Sequence, residues 1–326
     1  MFDDIQGVRT MHTNLRRTAG ALALVTGGAL GVTTLVSASA YAADPAMCNG
    51  KAVTIVGTTA DDVLTGTAGD DVVFLDKGND RFDGLAGNDT VCGGDGNDVV
   101  LGGAGNDWID GEAGDDSVDA GVGDDKINVL DGKDSVYANE GDDALVVTVP
   151  VADIATGAGD DIARVSFVTS TVRMNGGDDT VVYDRTSGEL RGGKGQDAFL
   201  VATPATTPAT PGLNTVATSL LKGGSGVDTA TFAPLSTPVR LDVAAGTATW
   251  EGGNSVKLRG FQAYTGGTGN DTLLGSDRPE TIRGKAGDDV VRGRGGNDLL
   301  RGGGGTDVVY GGAGRDNCTG EVKHSC

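Results

Sequence analysis

The chain has few aromatic residues, few histidines and few positive charges. Aromatic side chains make up 4% of its 326 residues, and the histidines are only His12 and His324. With 25 Lys and Arg against 46 Asp and Glu, the formal net charge is −21 at pH 7. Such an acidic surface repels nucleic acid and anionic membranes, so we expect neither as a partner. A lone histidine after the N-terminal region argues against zinc, which needs clustered ligands.

Catalytic signatures are also missing from the sequence. It has no H-E-x-x-H zinc motif and no G-x-S-x-G nucleophile elbow. The part outside the repeats described below is too short for a catalytic domain, and no amphipathic or apolar segment after residue 42 suits pore formation. The sequence therefore predicts a protein that is not an enzyme and does not insert stably into membranes.

What the chain does have is a strict nine-residue period. Aspartate recurs at Asp62, Asp71, Asp80, Asp89, Asp98, Asp107, Asp116, Asp125, Asp134 and Asp143. Glycine lies two residues before each of these acids, except that Ala60 precedes Asp62. An apolar residue lies two residues after each acid, and this position stays apolar at the same period from Ile55 to Phe199. Only 38% of the chain is apolar, so chance would give a mixture of residues at this position. The unbroken apolar period therefore indicates a regular structure.

Each part of the repeat has a physical role. Glycine adopts positive φ without steric cost, as a tight turn requires. A three-residue strand then directs one side chain inward and its neighbours outward. Two repeats therefore form one coil of two turns and two short strands around a thin core. The regularly spaced carboxylates are ligands for a hard divalent cation.

Residues 93–101, GGDGNDVVL, and 102–110, GGAGNDWID, resemble the RTX family of calcium-binding nonapeptide repeats. The resemblance covers about residues 53–201 and 266–318. It implies an all-β fold, a parallel β-roll or right-handed β-solenoid, in two blocks with a β-rich spacer. It also implies calcium ions between turns on the same side of the roll, bridging acids eighteen residues apart.

The resemblance implies that the repeat acids are the calcium ligands, completed by turn carbonyls. In the first block these are the ten acids above together with Asp161, Asp179 and Asp197; in the second they are Asp271, Asp289, Asp298, Asp307 and Asp316. Together they offer at most about 15 ion sites. Glu280 departs from the Gly-x-Asp pattern, so calcium binding at the sites that would include Glu280 is in doubt. A lone turn ending at Asp228 is out of register with both blocks.

The sequence divides into five segments. We expect a signal peptide at 1–42, a first calcium β-roll at 43–201 and a Thr/Pro-rich linker at 202–222. A spacer with β-hairpin character follows at 223–265, where residues 239–243 and 256–258 alternate apolar and polar. A second roll with a C-terminal disulfide cap occupies 266–326.

The N-terminal segment indicates export. Arg16 and Arg17 precede an apolar stretch at residues 19–36, and small residues follow, with cleavage favoured after Ala42. A retained membrane anchor is the alternative, and general secretion or twin-arginine export both remain open. We expect a secreted, extracellular protein that can associate with cell surfaces.

Four cysteines in an exported chain predict disulfides. Three pairings are open. We favour Cys48–Cys92, which ties the N-terminal segment to the early coils, and Cys318–Cys326, which closes the last coil.

These features predict a secreted, non-catalytic calcium-binding repeat protein that folds when calcium bridges successive turns. The alternative is an adhesin that calcium stiffens and that binds glycans or neighbouring cells. A metal-free solenoid and a disordered acidic chain are the simpler interpretations; the second is the expected state without calcium.

Overall fold

The computed structural model describes residues 47–129, 131–148, 153–166, 169–184, 188–202 and 219–326. The expected signal peptide and most of the expected linker lie outside these residues. The described chain is all-β, with one short 3-10 turn at Glu251–Gly253. No helix within the described ranges is long and apolar enough to cross a membrane.

The strands form two long sheets and a small hairpin. The hairpin pairs β1 (Met47–Cys48) with β2 (Lys51–Ala52). Sheet 1 contains, in spatial order, β4 (Val63–Thr65), β6 (Arg81–Asp83), β8 (Val99–Ala104), β10 (Ser117–Val122), β12 (Ser135–Glu140), β14 (Asp153–Ala158), β16 (Thr171–Gly176), β18 (Glu189–Lys194), β20 (Ser219–Ser225), β24 (Asn254–Arg259), β23 (Thr247–Trp250), β22 (Arg240–Asp242), β26 (Thr272–Leu274), β28 (Val290–Gly295), β30 (Val308–Ala313) and β32 (Val322–His324). Sheet 2 contains β3 (Ile55–Val56), β5 (Val72–Phe74), β7 (Thr90–Asp95), β9 (Trp108–Ala113), β11 (Lys126–Val129), β13 (Ala144–Val147), β15 (Ile162–Ser166), β17 (Thr180–Asp184), β19 (Ala198–Val201), β21 (Thr229–Thr231), β25 (Ala263–Thr265), β27 (Thr281–Ala286), β29 (Leu299–Gly304) and β31 (Asn317–Thr319).

Outside the spacer at β20–β26 the chain alternates between the sheets, so each strand pairs in parallel with the strand two elements later. Val91 lies beside Ile109, and Ile109 beside Ile127, a step of eighteen residues. The fold is therefore a parallel β-solenoid of about 14 turns, as the sequence predicts.

The core consists of one inward side chain per strand. The inward positions from Val73 to Val309 are essentially inaccessible to solvent, whereas Ile55 and Leu64 at the first coil are only partly buried. Between residues 120 and 183 a second inward position adds Ala120, Val129, Ala138, Val147, Val165, Met174 and Tyr183 to the core. Burial of these side chains holds the two sheets together.

The solenoid continues through the spacer between the blocks. Strand β20 pairs with β18 and β24, while β21 joins β19 to β25. Strands β22, β23 and β24 form an antiparallel meander within sheet 1. An aromatic cluster fills this part of the core, with Phe199 and Phe261 edge to face at 5.2 Å and Phe232 beside Trp250.

Disulfides close both ends of the solenoid, and the favoured pairing is confirmed. Cys48 bonds to Cys92 and Cys318 to Cys326. The first bond lies in a small apolar cluster with Phe74, which Val53, Val72 and Trp108 adjoin. It fastens the N-terminal hairpin onto the outside of sheet 2.

Candidate metal centres

Each repeat acid lies at the turn immediately before a strand, so the acids form a row along one edge of each sheet. The row preceding the strands of sheet 1, ladder 1, contains Asp62, Asp80, Asp98, Asp116, Asp134, Asp271, Asp289 and Asp307. The row preceding the strands of sheet 2, ladder 2, contains Asp71, Asp89, Asp107, Asp125, Asp143, Asp161, Asp179, Asp197, Asp298 and Asp316. All are buried except Asp62 and Asp316, which are half-buried.

One carboxylate oxygen of each acid links neighbouring coils. The backbone N–H of Asp89 donates to Oδ1 of Asp107 at 2.8 Å, and the N–H of Asp107 donates to Oδ1 of Asp125 at 2.8 Å. The same bond recurs at eighteen-residue steps within both ladders. Each of these acids after the first coil thus satisfies a backbone donor on the preceding coil.

The other oxygen, Oδ2, has no hydrogen-bond partner in most of these residues. It is buried and unpaired in Asp80, Asp89, Asp98, Asp107, Asp125, Asp134, Asp143, Asp161, Asp179, Asp197, Asp228, Asp289, Asp298, Asp307 and Asp316. A buried polar atom without a partner is costly, and native proteins have few of them. A row of such oxygens at a fixed step is suited to the binding of cations.

Glycine keeps space open beside many of the unpaired oxygens, namely those of Asp89, Asp98, Asp107, Asp197, Asp228, Asp289, Asp298, Asp307 and Asp316. At Asp80, Asp125, Asp134, Asp143, Asp161 and Asp179 the same position, five residues earlier, carries a side chain: Leu75, Ala120, Val129, Ala138, Thr156 and Met174. A Cβ added to Gly84 would lie 2.3 Å from Oδ2 of Asp89 and 2.3 Å from the carbonyl oxygen of Gly102 on the next coil. Gly93 and Gly293 have the same surroundings at their own turns. A carboxylate oxygen and a carbonyl oxygen from adjacent coils therefore converge on a small cradle that only glycine leaves free.

Burial raises the pKa values of many of the ladder acids. Removal from water raises the pKa of Asp107 to about 6, of Asp89 to about 7 and of Asp179 to about 8. Neighbouring acids of the same ladder add to the shift for Asp89 and Asp179. The carboxylates are therefore poorly stabilised as anions, which a bound cation would reverse.

The cradle suits calcium in particular. Its donors are oxygens only, and calcium takes six to eight oxygen ligands in flexible geometry. Within the described ranges no three Asp, Glu, His or Cys side chains converge to hold a metal. A cation here must therefore draw many of its ligands from backbone carbonyls, as the glycine-lined turns allow.

The sequence matches the family described as the RTX calcium-binding nonapeptide repeat (4 copies). The matched residues are 56–91, 93–127, 123–146, 265–300 and 283–318. Both repeat blocks thus match RTX calcium-binding repeats. No curated protein gives a significant match. Among solved structures, the chain is similar to a hyperactive, Ca2+-dependent, beta-helical antifreeze protein from an Antarctic bacterium, with 18% identity, a TM-score of 0.34 and coverage of 80% of this chain and 81% of the other.

The first RTX turns of each block differ from the others. Oδ2 of Asp71 accepts the N–H of Thr67 at 2.6 Å, and Oδ2 of Asp271 accepts the N–H of Gly267 at 2.6 Å. Asp62 accepts the N–H of Thr58 in the same way. These three acids belong to the ladders, but an intramolecular donor already holds the oxygen that is unpaired elsewhere.

Four residues outside the predicted ligand set join the ladders of the RTX repeats. Oδ1 of Asp228 accepts the N–H of Asp197, and Gln262 Oε1 accepts the N–H of Asp228 at 2.8 Å. Glu280 is buried in ladder 2 and donates its N–H to Asp298, while Glu321 closes ladder 1 by accepting the N–H of Asp307. The GGSGVD turn signals Asp228, but its spacing from Asp197 is 31 residues instead of eighteen.

Proposed function

We propose that this protein is a secreted, non-catalytic calcium-binding repeat protein whose folding is triggered by extracellular calcium. The observation that carries the proposal is the row of buried Oδ2 atoms without partners, many of them beside glycine cradles. The ligands would be these Oδ2 atoms, joined by carbonyl oxygens such as that of Gly102. Calcium would supply positive charge between coils, and the chain would supply the spacing and the exclusion of water.

Electrostatics explain why folding would need the ion. Acids on adjacent coils of one ladder are about 4.8 Å apart, the spacing of paired strands. At an effective dielectric constant near 20, two such charges repel by roughly 3–4 kcal/mol. A thin core offers little to offset that repulsion along the whole ladder. Calcium binding removes the repulsion and satisfies the unpaired oxygens, so binding and folding would be coupled.

The two disulfides support an extracellular location. Disulfides persist in oxidising compartments and are rare in the cytosol. Extracellular modules bind calcium with dissociation constants of about 10⁻⁴–10⁻³ M, so an exported chain would meet enough calcium only after secretion. The predicted signal peptide supports the same route.

The second candidate is a calcium-stiffened adhesin on a cell surface or in a matrix. The continuous sheets favour it, because a stack of about 14 turns presents two long outer faces. Cell-adhesion assays with and without calcium would separate this role from calcium binding alone.

A calcium titration followed by far-ultraviolet circular dichroism tests the proposal. We expect little β-structure in chelator, cooperative gain of β-structure near millimolar calcium, and no gain with the same concentration of magnesium. Asp107→Ala, which removes a ladder acid, should raise the calcium midpoint. Asp131→Asn is the control, because it removes one negative charge at an exposed turn of the same block. Full β-structure in chelator, or equal midpoints for the two variants, would overturn the proposal.

A further inference from the structure

Sheet 1 carries a row of positive charges on its outer surface. Arg173, Arg191, Lys222 and Arg259 lie directly beside one another on β16, β18, β20 and β24. The residue before each of them is buried in the core, so all four point outward. The strands are about 4.8 Å apart, so this basic row presents one cation per coil.

The fold itself gains nothing from stacking these cations. Like charges directly opposite on paired strands are destabilising. Arg173 pairs with Asp153, and Glu189 pairs with both Arg191 and Lys222, so two carboxylates face the four cations of the row. Lys257, on β24, lies beside Leu220 on β20. Within the described part of the chain, neither Lys257 nor Arg259 forms an ion pair. A concentrated positive surface on a chain of net charge −21 therefore indicates binding of an anion.

A groove lies beside the basic row. Its volume is about 480 Å³. Glycines, including Gly157, Gly176 and Gly193, form its floor, while Arg173, Arg191 and Lys194 line it with positive charge. The glycines leave room for a ligand to approach the backbone, and the groove spans the strands β14, β16 and β18.

Ladder 1 has no acids along this part of sheet 1, although Asp153 and Glu189 contact cations of the row. At the positions eighteen residues apart after Asp134, the sequence has Ala152, Ser170 and Gly188 instead of Asp. Ladder 2 keeps its acids over the same coils, and the groove borders its turns. Gly192 and Lys194 belong to the turn that ends at Asp197, and a Cβ on Gly192 would lie 2.0 Å from Asp197 Oδ2. The basic row therefore lies where the calcium-type turns on its own sheet have been lost.

We propose that the basic row and its groove bind a linear anionic polysaccharide that carries about one carboxylate or sulfate group per sugar. The guanidinium groups of Arg173, Arg191 and Arg259 match the planar fork geometry that such oxyanions accept. A single-stranded nucleic acid would need aromatic stacking platforms, and no aromatic side chain lines the groove. The acidic surface around the row repels a polyanion that is wider than the row. A single polysaccharide chain that is no wider than the row can lie along the cations.

The experiment measures binding of chondroitin sulfate to the full chain in millimolar calcium, with neutral dextran and single-stranded poly(dT) for comparison. The row variant combines Arg191→Gln, Lys222→Gln and Arg259→Gln. The control combines Arg283→Gln and Arg301→Gln, two arginines stacked in register on the outer face of sheet 2. We expect salt-sensitive binding of chondroitin sulfate, weakened about tenfold in the row variant, the order of magnitude for losing three exposed ion pairs. The control should bind like the parent chain.

Circular dichroism of each variant in calcium separates misfolding from loss of binding. A milder variant, Lys257→Gln with Arg259→Gln, removes cations that form no ion pairs within the described part of the chain. It should weaken binding about threefold, as loss of one or two exposed ion pairs with the polysaccharide would. No binding by the parent chain, equal loss in the sheet 2 control, or equally tight binding of poly(dT) would overturn the proposal. These outcomes are independent of the calcium titration, which tests folding alone.

Discussion

The backbone N–H of Asp197 donates a hydrogen bond to Oδ1 of Asp228 at 3.0 Å, although 31 residues separate them. Within each block of ladder 2 the same bond joins acids eighteen residues apart. The longer spacing still brings Asp228 into register, because β20 pairs with β18 and β21 pairs with β19. Asp228 thereby connects the first block to Gln262 and, through the next coil, to Glu280.

Asp228→Ala should make folding of the two blocks less cooperative. The substitution removes the acceptor for Asp197 and one unpaired Oδ2 at the junction, so the ladder is interrupted between the blocks. We expect a calcium titration with a shallower slope and a higher midpoint, monitored by circular dichroism. Asp131→Asn, at an exposed turn, should leave both unchanged. A parent-like slope in Asp228→Ala would show that ladder 2 does not couple the blocks.

Gly84→Ala tests the glycine cradle. The new Cβ would lie within 2.3 Å of both Asp89 Oδ2 and the Gly102 carbonyl, so one of these oxygens must move away from the site. We expect a clear rise in the calcium midpoint and fewer ions bound per chain in equilibrium dialysis. Gly304→Ala is the matched control: its Cβ would have no neighbour closer than 4.0 Å, and its φ is not positive. If both variants bind the same number of ions, the cradle is not the binding position.

The period of nine was enough to predict the core and most of the ladders. A two-repeat coil requires apolar residues such as Val73 and Val91 to stack at steps of eighteen, and the structure confirms this pairing. The same step predicts the contact between Asp89 and Asp107. Both follow from local spacing, because every coil in that block has the same length.

The junction and the first turns were harder to predict. A segment of irregular length precedes Asp228 and removes the fixed spacing on which the prediction depended. Gln262 occupies a ladder position with a neutral amide, so no acid marks it. The turns whose acids accept an intramolecular N–H are partly marked in the sequence. Thr58 and Thr67 stand there where several later turns have glycine at positive φ, such as Gly94 and Gly103.

Acid should partly replace calcium in the folded state. In the calcium-free fold, burial raises the pKa of Asp89 to about 7 and of Asp179 to about 8, above the value of about 3.9 for an unfolded chain. Between those values the folded state binds more protons than the unfolded state, so its stability rises as pH falls. We therefore expect more β-structure in chelator at pH 5 than at pH 8, as measured by circular dichroism.

The same protons should compete with calcium. Because the carboxylate must lose its proton to bind the ion, the calcium midpoint should rise as the pH falls from 8 to 6. Sodium chloride at matched ionic strength controls for general screening of the acidic surface. A calcium midpoint that does not change over this range would contradict the assignment of the buried acids as ligands.

The two disulfides should contribute unequally to stability. The Cys48–Cys92 bond closes a loop with a sequence separation of 44, and the Cys318–Cys326 bond one of 8. Loop-closure entropy in the unfolded chain then predicts losses of about 4 and about 2.5 kcal/mol when each pair is changed to serine. Urea unfolding in saturating calcium measures both values on the folded protein. A larger loss from Cys318→Ser with Cys326→Ser would mean that the bond acts mainly by covering the last coil, where Cys318 packs against the core.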